Sequence, residues 1–306
     1  MKKGVLNKVK LTSLSVIGFL CMACQSNDDM TTVPVNEQLP EETMPPEVIE
    51  EEINYKLPEI DLSHWKVTLP IGRPTEVYPP EILNYGSDES LKPFMYNDSV
   101  DGSLVFYTYP ASSTANSSYS RTELRELMDP NDLTKNWSFD EGGRMKGTLA
   151  LAEISKESDG DFHRTIMMQI HGRLSDEQRE LIGAKDNNAP PILKIYWHKG
   201  YVRVKSKYLK NKNATVEESL HTDARGDDEG FNFDEYVGFE PFTLEIIASS
   251  GKMEIILNEK DTYTIENEDM KRWSVFENYF KAGNYLSSKD EGAFAVVKYY
   301  ELEVWH

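Results

Sequence analysis

Arg121-Thr122-Glu123-Leu124-Arg125, Gln169-Ile170-His171 and Tyr279-Phe280-Lys281-Ala282-Gly283-Asn284-Tyr285 decide the fold, because each reads as a β-strand with its chemistry on one face. Side chains alternate in direction along a strand. Arg121, Glu123 and Arg125 therefore share a face, as do Gln169 and His171, and Tyr279, Lys281 and Tyr285. The residues between them suit a core: Leu124 between the arginines, Ile166, Met168 and Ile170 alternating with Thr165, Met167, Gln169 and His171, and Phe280 and Ala282 around Lys281. Three such strands in one sheet would give a single surface cations, an amide, an imidazole and a phenol.

Outward from these segments the domain reads as strand after strand. Trp65, Val67 and Leu69 alternate with Lys66 and Thr68, and further strands are expected over 103–109, 119–127, 144–154, 163–171, 192–198, 201–207, 241–248, 252–257, 262–265, 279–286 and 293–304. Helical pattern is confined to 79–84, 175–182 and 269–275. Many short antiparallel-type strands without regularly interleaved helices predict an all-β sandwich or jelly roll. Two polar insertions, Gly172 to Pro191 and Lys210 to Tyr236, exceed ordinary loop length, and the first leaves directly from the Gln169/His171 strand as an expected wall or lid.

At 306 residues the chain is long enough for a large core, and one domain is the economical reading. Lys2, Lys3, Lys8 and Lys10 precede the apolar run Leu11 to Cys24, too short to span a membrane and shaped like an export signal. Ala23-Cys24 resembles a bacterial lipobox, with Cys21 where Leu is usual, and Gln25-Ser26-Asn27-Asp28-Asp29 resembles the acidic export tag of bacterial surface lipoproteins. The expected organisation is a signal peptide over 1–23, an acidic Pro-rich disordered tether over 24–57 beginning at a lipid-modified Cys24, and a folded domain over 58–306. Localisation follows as exported and lipid-anchored at the outer membrane, facing the cell surface. Both cysteines, Cys21 and Cys24, fall in the leader, so disulfide, zinc-thiolate and cysteine-nucleophile chemistry is excluded for the domain.

The net charge is −19, and the acidity extends well beyond the tether. That argues against nucleic acid, whose binding draws on a basic field. It counts only partly against other polyanions, because salt screens charges more than ~8 Å apart and leaves a local cluster of Arg and Lys to dominate its own groove.

Taken alone, Arg121 and Arg125 are what a solvated strand face carries, His171 is an ordinary structural histidine, and Tyr285 is one of sixteen tyrosines. Together they suit a sugar acid: a planar guanidinium grips a carboxylate in bidentate fashion while Glu123 holds it in position. Lys281 could lower the Tyr285 phenol pKa and bind an anionic substrate, and Gly283 would leave open space for a sugar ring.

These three segments, preceded by Leu62-Ser63-His64-Trp65-Lys66-Val67-Thr68-Leu69-Pro70, resemble in order the signature regions of the polysaccharide lyase family 7 alginate lyases, over residues from about 60 to the end. The resemblance implies a β-jelly-roll of two antiparallel sheets whose concave face binds alginate, a polymer of mannuronate and guluronate, and cleaves it by β-elimination. By motif position, Arg121 and Gln169 would neutralise the uronate carboxylate, His171 would take part in removing the C5 proton, and Tyr285 would protonate the leaving glycosidic oxygen. Glu123, Arg125, Tyr279 and Lys281 would bind substrate. Ile170 resembles members that accept guluronate, and a division with His171 as base for guluronate and Tyr285 as base and acid for mannuronate is implied. Leu286-Ser287-Ser288 departs from the polar continuation usual after the last tyrosine.

A C5 proton is poorly acidic until the adjacent carboxylate is neutralised, so hydrogen bonds from Arg and Gln to the enolate-like state are the central requirement. No metal or other cofactor is required for this, and a structural calcium is compatible with the fold. Alginate and its oligosaccharides are the expected partners, with membrane contact only through the N-terminal lipid and a monomer as the working form. A glycoside hydrolase would need two carboxylates across the bond, and Glu123 is the only acid in the three segments. A non-catalytic binding module would need aromatic platforms but no placed His/Tyr pair, and a lyase for another polyuronate would use the same groups.

Overall fold

The computed structural model describes residues 56–111 and 118–306. The expected leader, Cys24 and all but the last two residues of the expected tether lie outside the described residues. The strands run in chain order as β1 (Trp65–Leu69), β2 (Thr75–Val77), β3 (Met95–Asn97), β4 (Leu104–Thr108), β5 (Arg121–Glu126), β6 (Trp137–Ser138), β7 (Gly143–Ile154), β8 (Thr165–Arg173) and β9 (Asn188–His198). They continue as β10 (Tyr201–Leu209), β11 (Arg225–Asp227), β12 (Phe231–Tyr236), β13 (Phe242–Ser249), β14 (Lys252–Leu257), β15 (Asp261–Glu266), β16 (Glu277–Leu286) and β17 (Ala295–Trp305). The helices α1 (Asp176–Leu181), α2 (Val216–Leu220) and α3 (Glu268–Lys271) are short.

Two antiparallel sheets form the jelly roll. One has the order β11-β10-β9-β8-β16-β5-β1-β2, with β12 beside β10 and β6 beside β16; the other has the order β15-β14-β13-β7-β17-β4-β3. The alternation in the three deciding segments sets which side faces in. Thr122 and Leu124 of β5, Met168 and Ile170 of β8, and Phe280 and Ala282 of β16 are fully buried, while Arg121, Arg125, His171 and Tyr279 keep partial exposure. The interior joins Phe106, Met145, Leu149, Ile246, Ile255 and Tyr299 of the second sheet to these residues. Burial of whole aliphatic and aromatic side chains, each worth ~1.5–3 kcal/mol, is what holds the two sheets face to face.

The register shifts beside the site where β16 and β8 meet. Tyr285 pairs with Ile166 and Ala282 with Met168, so β16 carries an extra residue opposite β8, and β8 carries one at Met167 opposite β9. Ile166 therefore aligns with Tyr285 and Tyr196 instead of joining the core row of Met168 and Ile170. The bulge is pinned from the other sheet: the buried Tyr299 hydroxyl donates to the Met167 carbonyl at 2.7 Å and accepts from Gly283 N at 3.1 Å. Asn284, also buried, donates to the carbonyls of Phe106 and Ala295 and accepts from Thr165 Oγ1 at 2.6 Å, leaving no polar atom of its amide unpaired.

The expected polar insertions are partly regular. β8 runs on to Arg173 and β9 begins at Asn188, with α1 between, capped by Ser175 and Gln178 in a reciprocal pair. The second insertion contains α2, β11 and β12. In β12, Phe231 and Phe233 alternate with Asn232 and Asp234, a period-two signal inside a charged stretch.

Candidate active site

Four neighbouring strands, β1, β5, β16 and β8, bring the eight predicted domain residues together. Arg125 is paired with Lys66 on one side and Lys281 on the other, Lys281 with Gln169, Tyr279 with His171, and Tyr285 with Arg121. Directly paired residues point to the same side of the sheet. A cavity of about 510 Å³ opens there, lined by Lys66, Thr68, Arg73, Pro74, Glu76, Arg121, Arg125, His171, Asn188, Tyr279 and Lys281. Of the eight, Arg121, Arg125, His171, Tyr279 and Lys281 line the cavity, while Glu123, Gln169 and Tyr285 are not among its lining residues.

Glu123 lies under this floor at 1% exposure. It accepts from the Lys281 ammonium and from the Gln169 amide, and Arg121 Nη1 stands 3.5 Å away. A carboxylate only accepts, so it fixes the Gln169 amide with nitrogen toward Glu123. Glu123, expected among the substrate-binding residues, accepts from two donors here and stands beside a third, so it acts on the cavity through Lys281, Gln169 and Arg121. Gln169 is itself 1% exposed and Lys281 6%. Burial, opposed by Glu123, pushes the Lys281 ammonium down to about 8.

His171 Nδ1 is 2.9 Å from the Gly172 carbonyl oxygen and 3.1 Å from the Tyr279 hydroxyl, and the two rings stack at 5.2 Å. The carbonyl can only accept, so Nδ1 carries the proton and Nε2 holds the lone pair of the neutral ring. Burial and the nearby Lys281 and Arg121 charges hold the imidazole well below its ordinary value, against the opposing pull of the Gly172 carbonyl. The Tyr279 ring also meets Arg125, whose guanidinium carbon lies 4.2 Å from its centroid. Arg125 is held in turn by the Glu126 carbonyl at 2.7 Å and Asn136 Oδ1 at 2.8 Å.

The cation against Tyr285 is Arg121, 4.9 Å from the ring centroid, whereas the Lys281 ammonium is engaged by Glu123. Arg121, not Lys281, is thus the positive charge placed on the phenol. Gly283 also differs from expectation. Its φ is +133°, and a Cβ there would stand 2.7 Å from the Thr122 carbonyl oxygen and 3.0 Å from Glu123 Cα, so the glycine permits close approach of β5 at the bulge and does not open space for a ring.

The wall on the β1–β2 side consists of residues the motifs alone did not single out. Lys66 Nζ contacts Glu76 at 2.7 Å and Tyr78 Oη at 3.0 Å, and Tyr78 donates to Glu76 at 2.7 Å. Burial and Glu76 push the Tyr78 phenol up to about 12. Lys66 alternates outward on β1, which was a usable signal; Arg73 and Asn188 carried none. On the other side, Asp186, Asn187 and Asn188, from the end of the Gly172–Pro191 insertion, border an adjoining recess with Arg125, Arg173 and Tyr279. Among the described residues no group of three or more His, Cys, Asp or Glu side chains could hold a metal ion.

The family model for alginate lyase matches residues 60–306. The crystal structure of alginate lyase A1-II′, a member of polysaccharide lyase family 7, superimposes with a TM-score of 0.64 at 30% identity, covering 81% of this chain and 96% of that one. The chain belongs to the family 7 alginate lyases. A variant of A1-II′ in complex with the product GGG matches this alginate lyase at the same TM-score and 28% identity, over 81% of this chain and 96% of that one. The alginate lyase PA1167 of Pseudomonas aeruginosa shares the fold at 21% identity and a TM-score of 0.61, over 81% of this chain and all of its own length. No curated protein sequence matches. As an alginate lyase the protein cleaves the 1,4 glycosidic bond between uronate residues by β-elimination and releases unsaturated oligouronates.

Proposed function

We propose that the reacting uronate lies over β8 with its carboxylate between Arg121 and Gln169, flanked by His171 and Tyr285. Arg121 and the second N–H of the Gln169 amide neutralise the carboxylate and stabilise the enolate-like charge that develops as C5 loses its proton. In guluronate the C5 proton passes to His171 Nε2. The electron pair of the C5–H bond forms the C4–C5 double bond, the C4–O bond breaks, and the leaving oxygen takes a proton from Tyr285 Oη. In mannuronate, whose C5 proton lies on the other face, Tyr285 serves as base and then as acid. Arg125, Tyr279 and Lys281 border the cavity and hold the flanking sugars or the residues beneath them.

The observation that carries this reading is the His171–Gly172 hydrogen bond, which leaves a neutral ring with Nε2 as its only basic atom. The test is absorbance of the conjugated uronate with mannuronate-rich, guluronate-rich and mixed alginates. Tyr285→Phe should fold and bind oligosaccharide while losing ~10²- to 10⁴-fold in turnover on all three. Normal turnover in that variant would remove Tyr285 as proton donor.

The lyase is further proposed to be exported, lipid-anchored through Cys24 at the outer membrane, facing the cell surface, and to work as a monomer. The basic, apolar and acidic segments of the N-terminus support this. Palmitate labelling of intact cells should mark the protein and fail with Cys24→Ala; equal labelling of both would reject the anchor.

A further inference from the structure

Gly172 supplies the carbonyl that sets the His171 tautomer, and what holds Gly172 lies on the covered side of the sheet. Its partner across the β8–β16 ladder is Asn278, one rung from the His171–Tyr279 pair and pointing away from the cavity. Trp273, in the short 3-10 helix Arg272–Val275 after α3, spans both members of that rung. Its Nε1 donates to Asn278 Oδ1 at 2.8 Å, and a Cβ on Gly172 would stand 3.0 Å from its Cζ2. Asn278 in turn donates to the Phe276 carbonyl at 3.0 Å, and both Trp273 and Asn278 are fully buried.

The ring is clamped from the second polar insertion. Arg225 of β11, 3% exposed, places its guanidinium carbon 4.6 Å from the Trp273 centroid and 5.2 Å from that of Phe276. Its Nη2 reaches the Arg272 carbonyl at 3.3 Å, whereas Nε and Nη1 have no hydrogen-bond partner among the described residues. Asp269, the carboxylate that acts on it, is taken by Lys212 at 2.6 Å and by Leu209 N at 3.0 Å. A guanidinium buried in this way costs folding more than a packed apolar side chain would. What it supplies is attraction to two aromatic faces, which strengthens with desolvation and holds the indole in one orientation.

Resting on the assignment of His171 as base for guluronate, we propose that Trp273, clamped by Arg225, is a positioning residue for that base. The indole braces Gly172 from below, so that its carbonyl stays on His171 Nδ1 and the lone pair stays on Nε2. Without the brace the Gly172 peptide can turn, and the neutral ring can carry its proton on Nε2, where no basic atom then faces C5. The carboxylate contacts of Arg121 and Gln169 are untouched, so the loss falls on kcat and not on KM. It falls on guluronate, because Tyr285 serves mannuronate.

Two variants test this on guluronate-rich and mannuronate-rich alginate. Trp273→Phe lacks the indole N–H and the ring carbon that meets Gly172; Arg225→Met removes the clamp and leaves no buried charge, a change that folds without penalty where the replacement packs well. Trp273→Phe should lower kcat on guluronate-rich alginate ~10-fold at unchanged KM, short of the ~10²-fold that an ångström of misplacement can cost, and leave mannuronate turnover near wild type. Arg225→Met should show the same split at smaller amplitude. Nitrogen NMR of isotope-labelled histidine side chains, with His171→Asn to assign the resonances, should report a single Nδ1–H tautomer in the wild type and an added Nε2–H form in both variants. An unchanged guluronate-to-mannuronate ratio with a single Nδ1–H tautomer, in every variant that folds, would overturn the proposal and leave Trp273 as core packing. The assignment of the base fails separately, if His171→Asn lowers turnover equally on both alginates; the tautomer signature then still decides the role of Trp273.

Discussion

His171 Nδ1 lies 2.9 Å from the carbonyl oxygen of Gly172, its own neighbour in the chain. Gly172 has little freedom to withdraw, since a Cβ there would stand 3.0 Å from the Pro190 carbonyl oxygen and from Trp273 Cζ2. The imidazole is consequently fixed in one tautomer and, with burial and the Lys281, Arg121 and Lys194 charges acting on it, stays neutral well below pH 6.5. The acid limb of kcat/KM, which reports the free enzyme, is therefore expected below the usual histidine range. Lys281→Gln removes a cation that depresses the ring and should move that limb upward. The same burial penalises folding as pH falls below 6.5, where the unfolded chain gains a proton that the folded ring refuses. His171→Asn should lose ~10²- to 10⁴-fold on guluronate-rich alginate while keeping its thermal midpoint at neutral pH.

Lys281 governs the alkaline side. With its ammonium pushed down to about 8, the cation is lost as pH rises through that value, and Glu123 loses a partner. A fall in kcat/KM near pH 8 is expected, displaced upward in Lys281→Arg because a guanidinium keeps its charge. Stability moves the other way. Below pH 8 both folded and unfolded states hold the proton and the cost of burying it is constant; between about 8 and 10.5 the folded state has released it first, so this contribution to stability rises with pH. Rate and denaturation profiles of opposite slope in this window would establish the assignment; parallel slopes would reject it.

Glu123 is the anion on which three donors converge, and Glu123→Gln leaves Lys281 buried without a charge partner. A loss of about 3 to 5 kcal/mol in urea denaturation is expected, the cost of an uncompensated buried charge. The pair Glu123→Gln with Lys281→Met removes both charges and should recover most of the stability without recovering turnover, because Gln169 and Arg121 lose the group that aims them. Full activity in the stabilised double variant would show that the carboxylate is structural only.

Alternation in the sequence was enough to place Arg121, Arg125, His171, Tyr279 and Tyr285 on one face, since strand direction depends on the backbone alone. It did not give depth. Glu123 alternates with the arginines yet is covered, because Lys281 and Gln169 reach over it from β16 and β8, and that depends on a register no local pattern contains. The bulge at Met167 was invisible for the same reason, being fixed by Tyr299 from the opposite sheet. The short strands β2, β3, β6 and β11, of two or three residues, offer too little period to read. Lys66 was legible on its strand as outward-facing, but Asn188 joins the site only because β9 begins earlier than its apolar run.

Gly283 offers the most direct check on the bulge. Its φ of +133° is one that L side chains rarely adopt, and a methyl group at that position would meet the Thr122 carbonyl oxygen at 2.7 Å. Neither contact can be relieved by turning a flexible side chain, because the obstructing atoms belong to the β5 backbone. Gly283→Ala must then open the β5–β16 ladder between Arg125–Lys281 and Arg121–Tyr285, the two pairs that flank it. A cost of at least ~1–3 kcal/mol in folding stability is expected from the backbone conformation alone. Turnover should fall further than stability predicts, since a shift of ~1 Å between Arg121 and Tyr285 can cost ~10²-fold. An alanine variant with wild-type kcat and an unchanged thermal midpoint would mean that the bulge contributes nothing to the placement of the phenol.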